Sequence, residues 1–310
     1  MEKTCYFSSP AKNVLRWLVK NNMALLLTFY DPKGYECFVE MADELGYKNL
    51  AMMDSGAFSA RRGKPIDVDA YIAFINSKPK YIRFFVSVDL IQHDQNVAHL
   101  TMEEKCQVSI GNFERILKGV WCPEKIAPVY HFGEPLWVLD SYLALCKQYG
   151  SPYVCFGLGS NMSGKNSNPG KGPREYAQRI CAYIRERLPN AWIHLLGYNH
   201  PKDLPYIDCS SSDSTGYAVS ARYGHIICKY GDLAITNLTK KSASHPHFTK
   251  KFGYATEETL RQYVAELGWS YEALMESTDE RACFNASYIN GEIVGSQGPP
   301  IPSRKSLFDT

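Results

Sequence analysis

The sequence lacks any apolar run long enough to cross a membrane: the longest, MALLLTFY at residues 23–30, falls far short of the roughly 20 residues a spanning helix needs. The N-terminal MEKTCYFSSP also lacks the apolar core of a secretory signal, so a soluble, cytoplasmic protein without a membrane partner is expected. An excess of either charge is missing too. With 34 Lys and Arg against 32 Asp and Glu the formal net charge is +2, so affinity for an anionic polymer would have to come from local clusters of cations. No two of the ten cysteines form a CxxC pair, and Cys106, Cys155 and Cys181 fall inside candidate helices or strands. Reduced thiols serving as small core residues are the expectation. No internal repeat is visible. What is present is a 310-residue chain that is 45% hydrophobic, enough for a large core in one barrel or two ordinary domains.

Eight apolar, β-branched or aromatic runs read as strands: ALLLTFY, NLAMMDSG, YIRFFVSVDLI, KIAPVYHFG, YVCFGLG, WIHLLGY, YIDCSSSD and HIICKYGDLAI. Between most of them lie segments of helical period, YECFVEMADELG, VDAYIAFINS, LWVLDSYLALCKQYG, YAQRICAYIRERL and TMEEKCQVSIGNFERILKG. In the last, Thr101 and Glu104 are spaced as a capping box. Alternation of strand and helix predicts an α/β protein, a (β/α)8 TIM-like barrel over residues 1–240. The link from WIHLLGY to YIDCSSSD is too short for a full helix, and SNMSGKNSNPGKGP reads as a long surface loop. TEETLRQYVAELGWSYEALMES predicts one or two terminal helices, within an extension at 241–293 packed on the barrel, and residues 294–310 form a Pro-rich tail.

In such a fold, side chains at the C-terminal ends of strands share one rim. Asp54, Asp89, His131, Gly157, Gly159, Gly197 and Asp213 all occupy such ends. An Asp at a strand-to-helix turn is often just a helix cap, but three on one rim weaken that explanation. Cations cluster in the segments after the strands: Arg61, Arg62, Lys64, Lys165, Lys171, Arg174, Arg222, Lys240 and Lys241. Singly they read as solvated surface; together they would track a phosphate backbone.

These motifs bring a family into view. MMDSGAFS resembles the TDSGGFQ of the tRNA-guanine transglycosylases, which exchange guanine for a 7-deazaguanine without breaking the nucleic-acid backbone. SVDLIQHD is similar to their base-recognising aspartate segment, PVYHFGE to the strand end that follows, and YVCFGLGS to their Gly-Gly-Leu turn. The shorter phage-encoded branch acting on DNA is closer still: its Ser-x-Asp-Ser-Thr segment and Arg-aromatic-Gly element resemble SSSDSTGYAVSARYGHI. The similarity spans roughly residues 24–230. Two departures matter. The CxCxxC element and distant His of the family's structural zinc have no counterpart, and Cys228, Cys283, His245 and His247 are too dispersed to replace them. No metal or other cofactor is therefore expected. The family's Asp-x-Cys at the base-reading aspartate becomes Asp89-Leu90-Ile91.

Exchange with retained configuration needs two displacements, a carboxylate attacking the sugar while a second acid protonates the leaving base. Asp213 fits the nucleophile and Asp54 the acid, whose pKa should be raised by a poorly solvated pocket. Asp89 would accept from the N1–H and 2-amino group of guanine, with amides near Gly157 and Gly159 meeting its carbonyl oxygen. The resemblance extends base binding to Ser55, Gly56, Phe58, His131 and Gly197. Phe58 and Tyr217 are candidates to stack on the base, though such aromatics are more often core. His131 and His194 are more often satisfied polar residues than catalysts. Arg61, Arg62, Lys165, Lys171 and Arg222 are the candidate DNA contacts, around a nucleotide flipped from the duplex. Asp208, in an Ile-Asp-Cys context like the Phe-Asp-Cys around the family's nucleophile, competes with Asp213 for that role.

The resemblance thus implies a pentosyltransferase whose partners are DNA and a free 7-deazaguanine base, working in the host cytoplasm if phage-encoded, with a homodimer left open. The alternatives are the same exchange on tRNA, or a non-catalytic barrel that binds nucleic acid. A hydrolytic glycosylase would use the same carboxylates.

Overall fold

A computed structural model describes residues 3–8, 11–60, 63, 65–90, 95–157, 172–198, 203–236 and 256–294. Strand and helix alternate from the start: β1 (Thr4–Phe7), α1 (Lys12–Lys20), β2 (Leu26–Thr28), α2 (Pro32–Leu45), β3 (Ala51–Asp54), α3 (Ala57–Ala60), α4 (Val68–Asn76), β4 (Ile82–Val86) and α5 (Met102–Gly119). They continue as β5 (Ile126–Ala127), β6 (Val129–His131), α6 (Leu136–Tyr149), β7 (Tyr153–Gly157), α7 (Gly172–Arg187), β8 (Trp192–Leu196), β9 (Ser211–Ser214) and α8 (Gly216–Arg222). The helices begin where local chemistry supplies caps. Asp31 accepts from Gly34 N ahead of α2, Asp67 caps α4, and α5 opens with the expected box, Thr101 N to Glu104 Oε2 at 2.8 Å and Glu104 N to Thr101 Oγ1 at 3.2 Å.

The strands form two parallel sheets, ordered β1-β9-β8-β7-β6 and β2-β3-β4-β5. A parallel bridge between Phe7 and Leu25 links β1 to the chain entering β2, and Pro128 alone separates β5 from β6. The protein is thus a mixed α/β fold built on parallel sheets.

Two strand assignments need correction. TCYF, which is not among the eight runs above, is β1 and pairs with β9 from Thr4↔Ser211 to Phe7↔Ser214. HIICKYGDLAI is no part of either parallel sheet: it folds back on itself as an antiparallel hairpin, β10 (His225–Cys228) and β11 (Gly231–Ala234). Among its described residues the link after β8 forms a 3-10 turn at Leu204–Tyr206, in keeping with its short length. In the C-terminal segment TEETLRQYVAELGWSYEALMES forms two helices as expected, α9 (Glu257–Glu266) and α10 (Tyr271–Glu276), and among the described residues a further helix that was not expected, α11 (Thr278–Val294), follows them. The last is tied to the hairpin and to α8: Asn285 Oδ1 accepts from Ile227 N at 2.6 Å, and its amide donates to Tyr217 O at 3.0 Å. The loop 158–171 and the tail 295–310 lie outside the described residues.

Strand alternation sorts the core into two layers. Cys5, Phe7, Leu25, Met53, Phe85, Val154, Phe156, Ile193 and Leu195 join a cluster with the helical residues Val14, Phe38, Phe113, Leu139 and Ile180. Their alternates Tyr6, Ala24, Met52, Phe84, Val86, Ala127, Val129 and Cys155 form a separate buried cluster. Asp54 follows Met52 by two residues and His131 follows Val129 by two, so both carry on that second face. His194 stands in register with Cys155, and Ser211 with His194. All nine wholly buried cysteines and the half-buried Cys37 are free thiols.

Candidate active site

Asp54 is the last residue of β3, and the chain turns sharply beyond it. Gly56 has φ +89°, and a Cβ there would stand 2.5 Å from Tyr30 Cβ, so backbone conformation and space both demand glycine. The turn brings Gly56 N within 3.0 Å of Asp54 Oδ2, while the buried Ser55 hydroxyl donates to Ser87 O at 3.1 Å and ties this exit to that of β4. Burial raises the Asp54 carboxyl to about 7; the Asp89 charge adds to the effect, the Gly56 amide opposes it, and the Asp213 charge adds again.

Asp89 lies three residues past β4 on a segment anchored to α5, where Ser109 Oγ accepts from Leu90 N at 2.9 Å and Asn112 donates to Val88 O at 3.3 Å. Its Oδ2 lies 2.6 Å from His131 Nε2 at the end of β6. Burial works to lower the His131 pKa, but the hydrogen bond and charge of Asp89 outweigh it, and the imidazole is raised above its ordinary value. The His131 amide donates to the buried Glu134 at 2.8 Å, and burial raises the Glu134 pKa. His131 is therefore committed to Asp89 through one nitrogen.

Asp213 stands two residues after Ser211 in β9 and is nearly inaccessible. Its Oδ1 accepts from Gly197 N at 2.6 Å and lies 3.3 Å from His194 Nε2. The other His194 nitrogen is 2.9 Å from Ser211 Oγ, which also accepts from Trp192 Nε1 at 2.9 Å. Gly197 has φ +65°, a conformation that turns its amide back toward β9.

Cys155 lies among all three acids. Burial pushes its thiol far up, and the charges of Asp54, Asp213 and Asp89 each add to the effect. The structure thus brings together Asp54, Asp89 and Asp213 with Ser55, Gly56, His131, Gly157 and Gly197 around the ends of parallel strands. Asp208 is elsewhere: it precedes β9, its side chain is 49% exposed, and it pairs with Arg185 Nε at 3.2 Å. Tyr217 is core, fully buried against Phe7 with its hydroxyl on Ser8 O at 2.9 Å, which corrects its candidacy for stacking. Arg222 is exposed at the end of α8, roughly 9 Å along the helix from the end that adjoins β9. Arg174 Nη1 lies 3.7 Å from Asp203. Gly159, Arg61, Arg62, Lys64, Lys165, Lys171, Lys240, Lys241 and the side chain of Phe58 fall outside the described residues, as do His245 and His247.

His194 belongs to the site although its local sequence does not mark it. A single His in an apolar strand carries no signal of its own, and its meaning comes from Ser211 and Asp213 on the adjoining strand. Among the described residues, no three His, Cys, Asp or Glu side chains are grouped as a metal site, and no helix is long and apolar enough to cross a membrane.

No protein-family model matches the chain, and no curated protein does. Among solved structures it is similar to the carboxyl transferase domain of Rhizobium etli pyruvate carboxylase with pyruvate, at 11% sequence identity and a TM-score of 0.42. The match covers 92% of this chain and 49% of that one, so the chain spans about half the length of this neighbour.

Proposed function

We propose that the chain is a base-exchange glycosyltransferase that replaces guanine in DNA by a free 7-deazaguanine, in the manner of the phage-encoded relatives of tRNA-guanine transglycosylase. Its support is the contrast between two carboxylates at the ends of parallel strands, the partly exposed Asp54 of β3 and the buried Asp213 of β9, which have different surroundings. Asp54, raised to about 7 by burial beside Asp89 and Asp213, suits an acid that keeps its proton near neutral pH. Asp213, whose Oδ1 is held by the Gly197 amide and His194, suits a nucleophile fixed in place for attack. In the first step Asp213 attacks C1′ as the bond to the base breaks, and the electron pair of that bond leaves with the base nitrogen, which takes the Asp54 proton. In the second, the incoming base gives its proton to Asp54 and displaces Asp213, whose carboxylate regains its electron pair. Asp89, oriented by His131, would accept from the N–H groups of the purine edge.

We further propose that the two sheets close into one eight-stranded barrel in which β5 and β6 count as a single strand broken at Pro128, supported by the Phe7–Leu25 bridge at one seam and the Pro128 junction at the other. The DNA substrate follows from the resemblance around Asp213 and the missing zinc element.

The test is direct. The protein is incubated with duplex DNA, single-stranded DNA or tRNA and radiolabelled guanine. Label in DNA is expected; label in tRNA alone would reassign the polymer, and label in none would refute base exchange.

A further inference from the structure

Resting on that reading, we infer that His194 is a positioning residue for Asp213: a relay from Trp192 through Ser211 holds it as the neutral Nε2–H tautomer, dedicating Asp213 Oδ1 to accepting hydrogen bonds and leaving Oδ2 to attack the sugar. The chain of donors runs in one direction. Trp192 Nε1 can only donate, and it lies 2.9 Å from Ser211 Oγ. Ser211 Oγ keeps a second lone pair, and its hydroxyl proton is free to turn to its other close neighbour, His194 Nδ1, at 2.9 Å, so the Asp213 side of the ring decides the direction. A bare Nδ1 puts the ring proton on Nε2, facing Asp213 Oδ1 at 3.3 Å. The opposite tautomer would set a nitrogen lone pair against a carboxylate oxygen in a site from which water is almost excluded.

The register makes the relay possible, because His194 is paired directly with Ser211 across the β8–β9 ladder and Asp213 follows two residues later on the same face. Rings brace the imidazole on other sides, Tyr6 edge-on at 5.6 Å between centroids and Phe84 at 6.1 Å. The Gly197 amide reaches the same Oδ1 at 2.6 Å. Two donors on one oxygen have a consequence for each half of the exchange. They fix the carboxylate plane while Oδ2 forms the bond to C1′, and they stabilise the charge that returns to the carboxylate when that bond breaks.

The test has two arms. Nitrogen NMR of histidine-labelled full-length protein at neutral pH reads the tautomer without any reaction. The relay predicts one buried histidine with Nε2 protonated and Nδ1 bare, its signals assigned by their loss in His194→Gln and shifted in Ser211→Ala. An Nδ1–H ring or a doubly protonated ring would overturn the relay. In the second arm the single-turnover rate of covalent protein–DNA adduct formation is compared in His194→Phe and His194→Gln, since the Gln amide can still donate to Oδ1. Phe is expected to slow the adduct about 100-fold with DNA binding unchanged, and Gln to recover most of that loss. Equal rates in the two variants would contradict a positioning role. If wild type forms no adduct, the base-exchange reading fails, while the NMR arm still decides the tautomer.

Discussion

Gly157 lies beneath the imidazole of His131, so close that a Cβ at residue 157 would stand 2.8 Å from Nδ1. The ring cannot retreat without disturbing its 2.6 Å contact with Asp89, because both nitrogens belong to the same rigid plane. Gly157→Ala should therefore damage base recognition through His131. The expected result is a folded protein, less stable by roughly 1–3 kcal/mol from overpacking, with a raised KM for the free base. Thermal unfolding and exchange kinetics check both parts, and an unchanged KM would show that the Asp89–His131 pair does not read the base.

Asp54 makes a prediction about pH. Its folded pKa of about 7 lies above the ordinary 3.8, so the folded state binds a proton more tightly than the unfolded chain. Its contribution to stability is fully present below about pH 4 and is lost as pH rises through 7. Asp54→Asn should flatten the difference in melting temperature across that interval. Adduct formation in wild type should fall above pH 7 as the acid loses its proton. A Tm profile unaltered by Asp54→Asn would mean that burial does not raise this carboxyl.

Arg281 is buried in α11 without a carboxylate partner among the described residues, donating to Ala221 O at 2.9 Å, Leu274 O at 2.7 Å and Thr278 Oγ1 at 2.9 Å. It fastens the C-terminal helices to α8. Arg281→Met keeps the bulk and strands those acceptors, which should cost roughly 2–4 kcal/mol. Denaturant unfolding measures this. A loss below 1 kcal/mol would mean the carbonyls find other donors.

Asp208 should be dispensable. It is half exposed and its partner is Arg185, and such surface pairs contribute at most about 1 kcal/mol. Asp208→Asn is expected to keep both exchange and adduct formation near wild type, measured as single-turnover rates. A collapse of either rate would place the chemistry before β9 rather than within it.

The alternation of apolar runs and helical segments made the α/β class legible, and the caps of α5 could be read from Thr101 and Glu104 alone. Local signals failed where structure depends on partners. TCYF is only four residues long, and it becomes a strand because Ser211–Ser214 lies beside it. HIICKYGDLAI looked like one long strand because its two-residue turn, Lys229-Tyr230, carries none of the Asn-Gly or Asp-Gly chemistry that marks a hairpin; the positive φ of +116° falls on Gly231 just after it. At the site, Asp54, Asp89 and Asp213 could be singled out from their positions at the ends of runs. The pairing of Asp89 with His131, 42 residues apart, and of Asp213 with His194, 19 residues apart, comes only from strand order.

Identification of the residue that carries the sugar decides whether Asp213 is the nucleophile. Full-length protein is incubated with guanine-containing DNA without an acceptor base, denatured, digested with nuclease and protease, and its peptides are sequenced by mass spectrometry. A deoxyribosyl ester is expected on a peptide that includes Ser210–Arg222, located at Asp213 and absent in Asp213→Asn. An ester on Asp208 or Asp54, or an adduct that persists in Asp213→Asn, would contradict that assignment.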